Sequence, residues 1–111
     1  MNKPTCIIDG CGDKIWRNSK GERHRTDGPA VERTNGDKVW YFNGQRHRTD
    51  GPAIEHANGD KFWYVNGKCH RTDGPAVEYA DGNKEFWYKG KRIAEEVFYS
   101  DEFQVRMVME S

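Results

Sequence analysis

The chain has 111 residues, 34% apolar and 32% charged, which suits one small domain and excludes a deep aliphatic core. Four Trp, five Tyr and five Phe offset that shortage, since each ring buries a large area, so an ordered protein about one sheet deep is expected rather than a disordered one. The net charge is zero, but residues 93–111 carry five acids (Glu95, Glu96, Asp101, Glu102, Glu110) against Arg106, a net of −4, which leaves +4 on residues 1–92. That split excludes an acidic nucleic-acid mimic and disfavours a strong nucleic-acid binder, which needs a larger basic excess.

From the N-terminus, no secretory signal, lipidation site or membrane-spanning apolar run is read, so no membrane partner is expected. Three cysteines, Cys6, Cys11 and Cys69, cannot pair completely, and free thiols in a cytoplasmic protein are the expectation. Cys6, Cys11 and His24 have the spacing of the first three ligands of a Cys2His2 zinc site. No fourth ligand follows His24, and Cys11 aligns with the turn residue Asn35. No metal and no cofactor are therefore expected, with these three retained only as candidates.

A 23-residue repeat dominates the rest of the chain. HRTDGPA recurs at 24–30, 47–53 and 70–76, giving copies at 24–46, 47–69 and 70–92. A partial copy occupies 1–23, in which Gly12-Asp13-Lys14-Ile15-Trp16 matches Gly36-Asp37-Lys38-Val39-Trp40. Each copy reads as strand, turn, strand, turn, short strand. Asn35-Gly36, Asn58-Gly59 and Asp81-Gly82 suggest two-residue type I′ hairpins, and Asn43-Gly44 and Asn66-Gly67 a second turn. Thr-Asp-Gly-Pro then reverses the chain, with Asp accepting a local backbone bond. The fold class expected is all-β, a single-layer antiparallel meander, in which residues 1–92 form the array and 93–111 a capping segment. Ala94–Phe98 and Ser100–Phe103 favour helix, yet Phe103, Val105, Met107 and Met109 alternate, so a terminal strand stays open.

The pattern Asn-Gly-x-x-His-Arg-x-Asp-Gly-Pro-Ala followed by Gly-x-x-x-aromatic-aromatic resembles MORN-type repeats. More closely it resembles the HRxDGPA variant of small tailed-phage proteins and bacterial antitoxin or immunity-type proteins, over residues 12–92. The resemblance implies an elongated antiparallel sheet acting as an interaction platform. The regular Tyr-x-Gly pairs of ordinary MORN units are missing, so lipid binding is not carried over.

Two-residue turns would place Val31 opposite Trp40, Ala30 opposite Tyr41 and Glu32 opposite Val39. One face would then hold Val31, Trp40, Phe42 and His47, with Ile54, Trp63, Val65 and His70, and Val77, Phe86, Tyr88 and Ile93. This is the expected buried face. The other would carry Ala30, Glu32, Val39, Tyr41, Arg46 and Arg48, with Phe62, Tyr64, Cys69 and Arg71, then Glu85, Trp87 and Arg92. Tyr41, Tyr64 and Trp87, edged by Arg46, Arg48, Arg71 and Arg92, are the candidate partner-binding residues, since Tyr, Trp and Arg anchor interfaces.

No catalytic constellation is read. His24, His47 and His70 recur in every copy, as structural residues do, and are expected beside Trp and bonded to backbone. His56 is expected on the surface. Asp27, Asp50 and Asp73 read as turn residues, and Glu32, Glu55 and Glu78 as partners of nearby arginines. The expectation is a non-enzymatic protein-binding module, phage-encoded by analogy, that blocks a host defence protein. The alternatives are an antitoxin or immunity protein for a cognate toxin, or sequestration of a small nucleotide signal. The partner expected is a host or cognate protein, and self-association stays open.

Overall fold

The computed structural model describes residues 3–110. Met1 and Asn2 of the partial copy and Ser111 of the capping segment lie outside the described residues. In chain order the strands are β1 (Thr5–Ile8), β2 (Lys14–Arg17), β3 (Val31–Glu32), β4 (Lys38–Val39), β5 (Tyr41–Phe42) and β6 (Gln45–Arg46). Then come β7 (Ile54–Glu55), β8 (Lys61–Phe62), β9 (Tyr64–Val65), β10 (Lys68–Cys69), β11 (Val77–Glu78), β12 (Lys84–Tyr88) and β13 (Lys91–Ile93). Helices α1 (Glu95–Phe98) and α2 (Asp101–Met109) complete the chain order. Nine strands form one antiparallel sheet, β1-β2-β3-β4-β7-β8-β11-β12-β13, with β5-β6 and β9-β10 as separate hairpins. The all-β single-layer meander is thus observed, in a molecule 18 Å thin along its shortest axis.

The turn at Asn35-Gly36 differs from expectation. Arg33 N–H donates to the Asp37 carbonyl, and Gly36 N–H, at φ 101°, donates to the Arg33 carbonyl. This is a three-residue loop, Thr34 to Gly36, with glycine in the left-handed position. His56–Asp60 and Tyr79–Asn83 close the same way. The type I′ turns are instead Asn43-Gly44, Asn66-Gly67 and Lys89-Gly90, with both residues at positive φ in each.

One extra loop residue moves the register by one, and that changes which side chains share a face. Val31 pairs with Val39 instead of Trp40, and Glu32 with Lys38 instead of Val39. A row Ile15, Val31, Val39, Ile54, Phe62, Val77, Glu85 therefore crosses the sheet on one side. The next residues along these strands are Lys14, Glu32, Lys38, Glu55, Lys61, Glu78 and Lys84, alternating in sign on the opposite side. In the second hairpin Tyr41 pairs with Arg46, and in copy three Trp87 pairs with Arg92.

The aromatic strand is interrupted in copies one and two. Trp40 N–H donates across the main sheet to Ala53, while its carbonyl accepts from His47 N–H in the second hairpin. Trp63 does the same toward Ala76 and His70. The chain leaves the main sheet at the tryptophan and enters a small hairpin. Successive hairpins are joined by bonds such as Arg48 N–H to the Tyr64 carbonyl and Gly67 N–H to the Arg46 carbonyl. In copy three β12 runs unbroken through both pairings.

Burial accords with the corrected register. Ala30, Val31, Ala53, Ile54, Ala76 and Val77 form the buried line of the array. Of the face expected to be buried, Phe86 and Tyr88 are buried, Trp40 and Trp63 are half-buried, and Phe42 is 43% exposed. A single layer leaves the outer half of each Trp without a second layer to cover it.

Two contacts join each unit to the next, an Asp carboxylate on a backbone N–H and an arginine over a tryptophan, and a histidine ties each unit internally. The Asp37 and Asp60 carboxylates accept from Ala57 and Ala80 N–H, both at 2.7 Å, and Asp13 accepts from Thr34 N–H. The Nδ1 atoms of His24, His47 and His70 accept from the N–H groups of Asn43, Asn66 and Lys89. The guanidinium groups of Arg25, Arg48 and Arg71 lie 3.9 to 4.1 Å from the ring centroids of Trp16, Trp40 and Trp63.

Copy three ends the series by substitution. Asn83 stands where Asp37 and Asp60 form their link, and Ala94 where Arg48 and Arg71 stack. Phe86 replaces the tryptophan and receives Phe98 of α1 at 4.8 Å between rings. Phe86, Tyr88, Phe98, Phe103 and Met107 form a buried cluster with Ile93 packed against it. The terminal segment is therefore helical: Ser100 Oγ caps α2 by accepting from Phe103 N–H, and Phe103 and Met107, four residues apart, face the sheet. The Tyr88 hydroxyl donates to Glu110 at 2.7 Å. That bond, then Arg106, brings the Glu110 carboxyl down to about 2.

Candidate interaction surfaces

Trp40 and Tyr41 are adjacent in sequence but line different hollows, so the array presents two different surfaces. On the tryptophan side two equivalent hollows repeat, of about 570 and 640 Å³. The first is bounded by Arg25, Asp27, Trp40, Phe42, His47 and Arg48, the second by Arg48, Asp50, Trp63, Val65, His70 and Arg71.

The arginines there are already engaged with their neighbours. Arg48 Nε donates to Asp50, and its Nη1 donates to the Pro52 carbonyl and to Glu55. Arg25 and Arg71 repeat the set with Asp27, Pro29 and Glu32, and with Asp73, Pro75 and Glu78. Hydrogen bonds from Arg25 and Arg48 hold the carboxyls of Asp27 and Asp50 below the usual carboxylate range. The Asp of each turn also meets the arginine two residues before it, a partner beyond the local backbone contact expected. Glu32, Glu55 and Glu78 do neutralise arginines, as expected. The histidines bond to backbone, but their rings approach Phe42 and Tyr88 while arginine covers the tryptophan. Burial lowers the pKa of His70.

Arg48 and Arg71 consequently do not edge the tyrosine row. They lie on the far side, about one-fifth exposed, with their donors in use. Arg46 and Arg92 do lie beside it. Arg46 sits 5.5 Å over the Tyr64 ring, and Arg92 is 3.9 Å from Glu85.

The tyrosine side is a groove running along the array. A hollow of about 290 Å³ is lined by Val39, Tyr41, Arg46, Ile54, Phe62 and Tyr64, with Arg33, Asp37 and His56. It shares Phe62 and Tyr64 with a hollow of about 510 Å³ lined by Val77, Tyr79, Glu85, Trp87, Lys68 and Cys69. Tyr41, Tyr64 and Trp87 are half-buried along it. The acids of the groove are tied inward. Asp37 accepts from Ala57 N–H, and Glu85 accepts from Trp87 Nε1 and the Tyr79 hydroxyl. Cys69 is buried in this wall, and burial pushes its thiol up to about 12.

Sequence reasoning put Phe62 on this face but did not place His56 and Tyr79 in the groove. His56 meets Phe62 edge-on at 5.6 Å, and Phe62 meets Tyr79 at 6.0 Å. The available signal was that Arg33, His56 and Tyr79 occupy one position that varies while its neighbours repeat. The zinc candidates stand apart in role. Cys6 is exposed on β1, Cys11 lies in the Asp9–Asp13 turn, and His24 Nδ1 holds Asn43 N–H. Among the described residues no three His, Cys, Asp or Glu side chains are grouped to hold a metal ion, and no helix is long and apolar enough to cross a membrane.

Comparison with protein-family models, with curated proteins and with solved structures finds no match to this chain.

Proposed function

We propose that this chain is a non-catalytic protein-binding module of the MORN-like HRxDGPA type, phage-encoded, that binds and blocks a host defence protein through its tyrosine side. The observation that carries the reading is the continuous groove over which Tyr41, Tyr64 and Trp87 recur once per unit. Large rigid rings anchor protein interfaces at low entropic cost. The groove is shallow and open to solvent, which suits a protein surface better than an enclosed small nucleotide. On the tryptophan side Nε and Nη1 of each arginine are held by the neighbouring Asp, Pro and Glu, whereas on the tyrosine side Arg46 has no carboxylate partner among the described residues. The contact set is Tyr41, Tyr64, Trp87, Arg46 and Arg92, without Arg48 and Arg71, whose donors hold the units together.

The test is capture of a stoichiometric partner from bacterial lysate by the tagged chain, with identification of that partner by mass spectrometry. Tyr64→Ala combined with Arg46→Ala should abolish capture while the circular dichroism spectrum keeps its shape. Undiminished capture by that folded double variant moves the site off this face. A heat-released nucleotide in place of a protein replaces the reading altogether.

A further inference from the structure

The tyrosine row has a period as well as a composition. β5 and β9 are equivalent strands two apart in the stack of hairpins, joined through β6, and the same step leads on to β12. Two strand spacings amount to about 9.4–9.8 Å, the least separation that successive rings can have. A polyproline II segment has three residues per turn and rises about 3.1 Å per residue, so it returns a side chain to the same side every ~9.3 Å. An α-helix returns one after two turns, at about 10.8 Å. A β-strand does so at about 6.4–6.8 Å. The polyproline II period is the closest fit.

Charge supplies the second half. The groove's carboxylates, Asp37 and Glu85, are only about one-fifth exposed and bonded inward. Its cations are at the rim. Among the described residues Arg23 and Arg46 have ring contacts and no carboxylate partner, Lys68 is exposed beside Trp87, and Arg92 is 64% exposed. One ring is also left bare. Arg23 lies over Tyr41 and Arg46 over Tyr64, but the equivalent residue for Trp87 is Cys69, which puts no guanidinium over the indole. The larger hollow of the groove opens beside that ring.

We propose that the groove takes an extended, acidic, proline-containing segment of a partner protein in the polyproline II conformation. One residue rests on Trp87, the residues three and six positions away pass beside the Arg46–Tyr64 and Arg23–Tyr41 pairs, and the intervening carboxylates face Arg46, Lys68 and Arg92. Aromatic grooves suit such segments because the extended conformation is preformed and little entropy is lost on docking. The proposal rests on the reading of this face as the partner surface.

The test uses fluorescence anisotropy with four labelled probes. These are a nonapeptide of Asp-Pro-Pro triplets, the same length of Lys-Pro-Pro, the same length of Asp-Gly-Gly, and a nine-base oligothymidylate. Asp-Pro-Pro should bind at least about tenfold more tightly than the other three, and more weakly as salt rises. Trp87→Ala should weaken it by about tenfold. Arg92→Glu should weaken it by about fivefold and, on an exposed side chain, leave the fold intact. No binding, equal binding of Lys-Pro-Pro or Asp-Gly-Gly, tighter binding of the oligonucleotide, or indifference to Arg92→Glu each overturns the proposal. The partner captured from lysate separates this failure from that of the wider reading. Capture lost on Tyr64→Ala but not competed by the Asp-Pro-Pro peptide leaves the docking face standing and removes the acidic polyproline ligand. Capture insensitive to both removes both.

Discussion

Truncating Arg48 to alanine separates a guanidinium that holds units together from one that waits for a partner. Arg48 lies 3.9 Å from the Trp40 ring centroid and donates to the Pro52 carbonyl at 3.0 Å and to Glu55 at 2.8 Å. A partly desolvated cation–π contact contributes about 1–2 kcal/mol. A hydrogen bond from a charged donor contributes about 1.5–3 kcal/mol. The contacts share one side chain and are not additive. The side chain is also one-fifth exposed, which discounts the ionic part. The expected loss is therefore about 2–4 kcal/mol, a large share of the roughly 5–15 kcal/mol that stabilises a typical domain. Urea denaturation monitored by circular dichroism reads it as a fall of the midpoint by about 1–2 M. Arg48→Lys should recover little, because an ammonium neither stacks flat nor forks. Arg46→Ala, whose side chain has no carboxylate partner among the described residues, should cost under about 1 kcal/mol. A loss under about 0.5 kcal/mol for Arg48→Ala, the usual result at an uninvolved surface site, would refute the structural role and return Arg48 to the partner-facing set.

Three other sites give outcomes of the same kind. Trp63→Ala should destabilise by about 2–3 kcal/mol, below the ~3–5 kcal/mol of Phe86→Ala, because Trp63 is half-buried and Phe86 buried; equal melting temperatures for the two variants would contradict this. The pKa of His70 is lowered by burial, and its Nδ1 must stay unprotonated to accept from Lys89 N–H. Its contribution is therefore full above the unfolded value of 6.5 and lost as pH falls below it, a slope in denaturation midpoint that His70→Phe should flatten. Cys69, buried with its thiol pushed up to about 12, should resist iodoacetamide at pH 8 in the native protein while the exposed Cys6 and Cys11 react, and mass spectrometry should find the third label only after denaturation.

Much of this molecule is written locally. HRTDGPA at a constant interval, Gly at each reversal, most often after Asn or Asp, and aromatic pairs between them determine a meander of hairpins, because turn chemistry and strand period act over a few residues. The helical cap was half legible. Ser100 and the acids after it mark a helix start, but Phe103, Val105, Met107 and Met109 alternate as a strand would. Burial of Phe103 and Met107 against Tyr88 and Phe86 decided the matter.

Only the tertiary structure decided the faces. Asn35-Gly36 reads equally as a two-residue turn with both residues at positive φ or as a three-residue loop with glycine alone there. The choice rests on how β3 and β4 pair and on the Asp37 carboxylate reaching Ala57 in the next unit. One residue of register then carries Val39 and Phe62 to the side of Val31 and Ile54. The same holds for Arg48. Its sequence neighbours say that it is charged and beside a turn, but the ring it covers belongs to the preceding unit, eight residues back and across a bend that no local pattern announces.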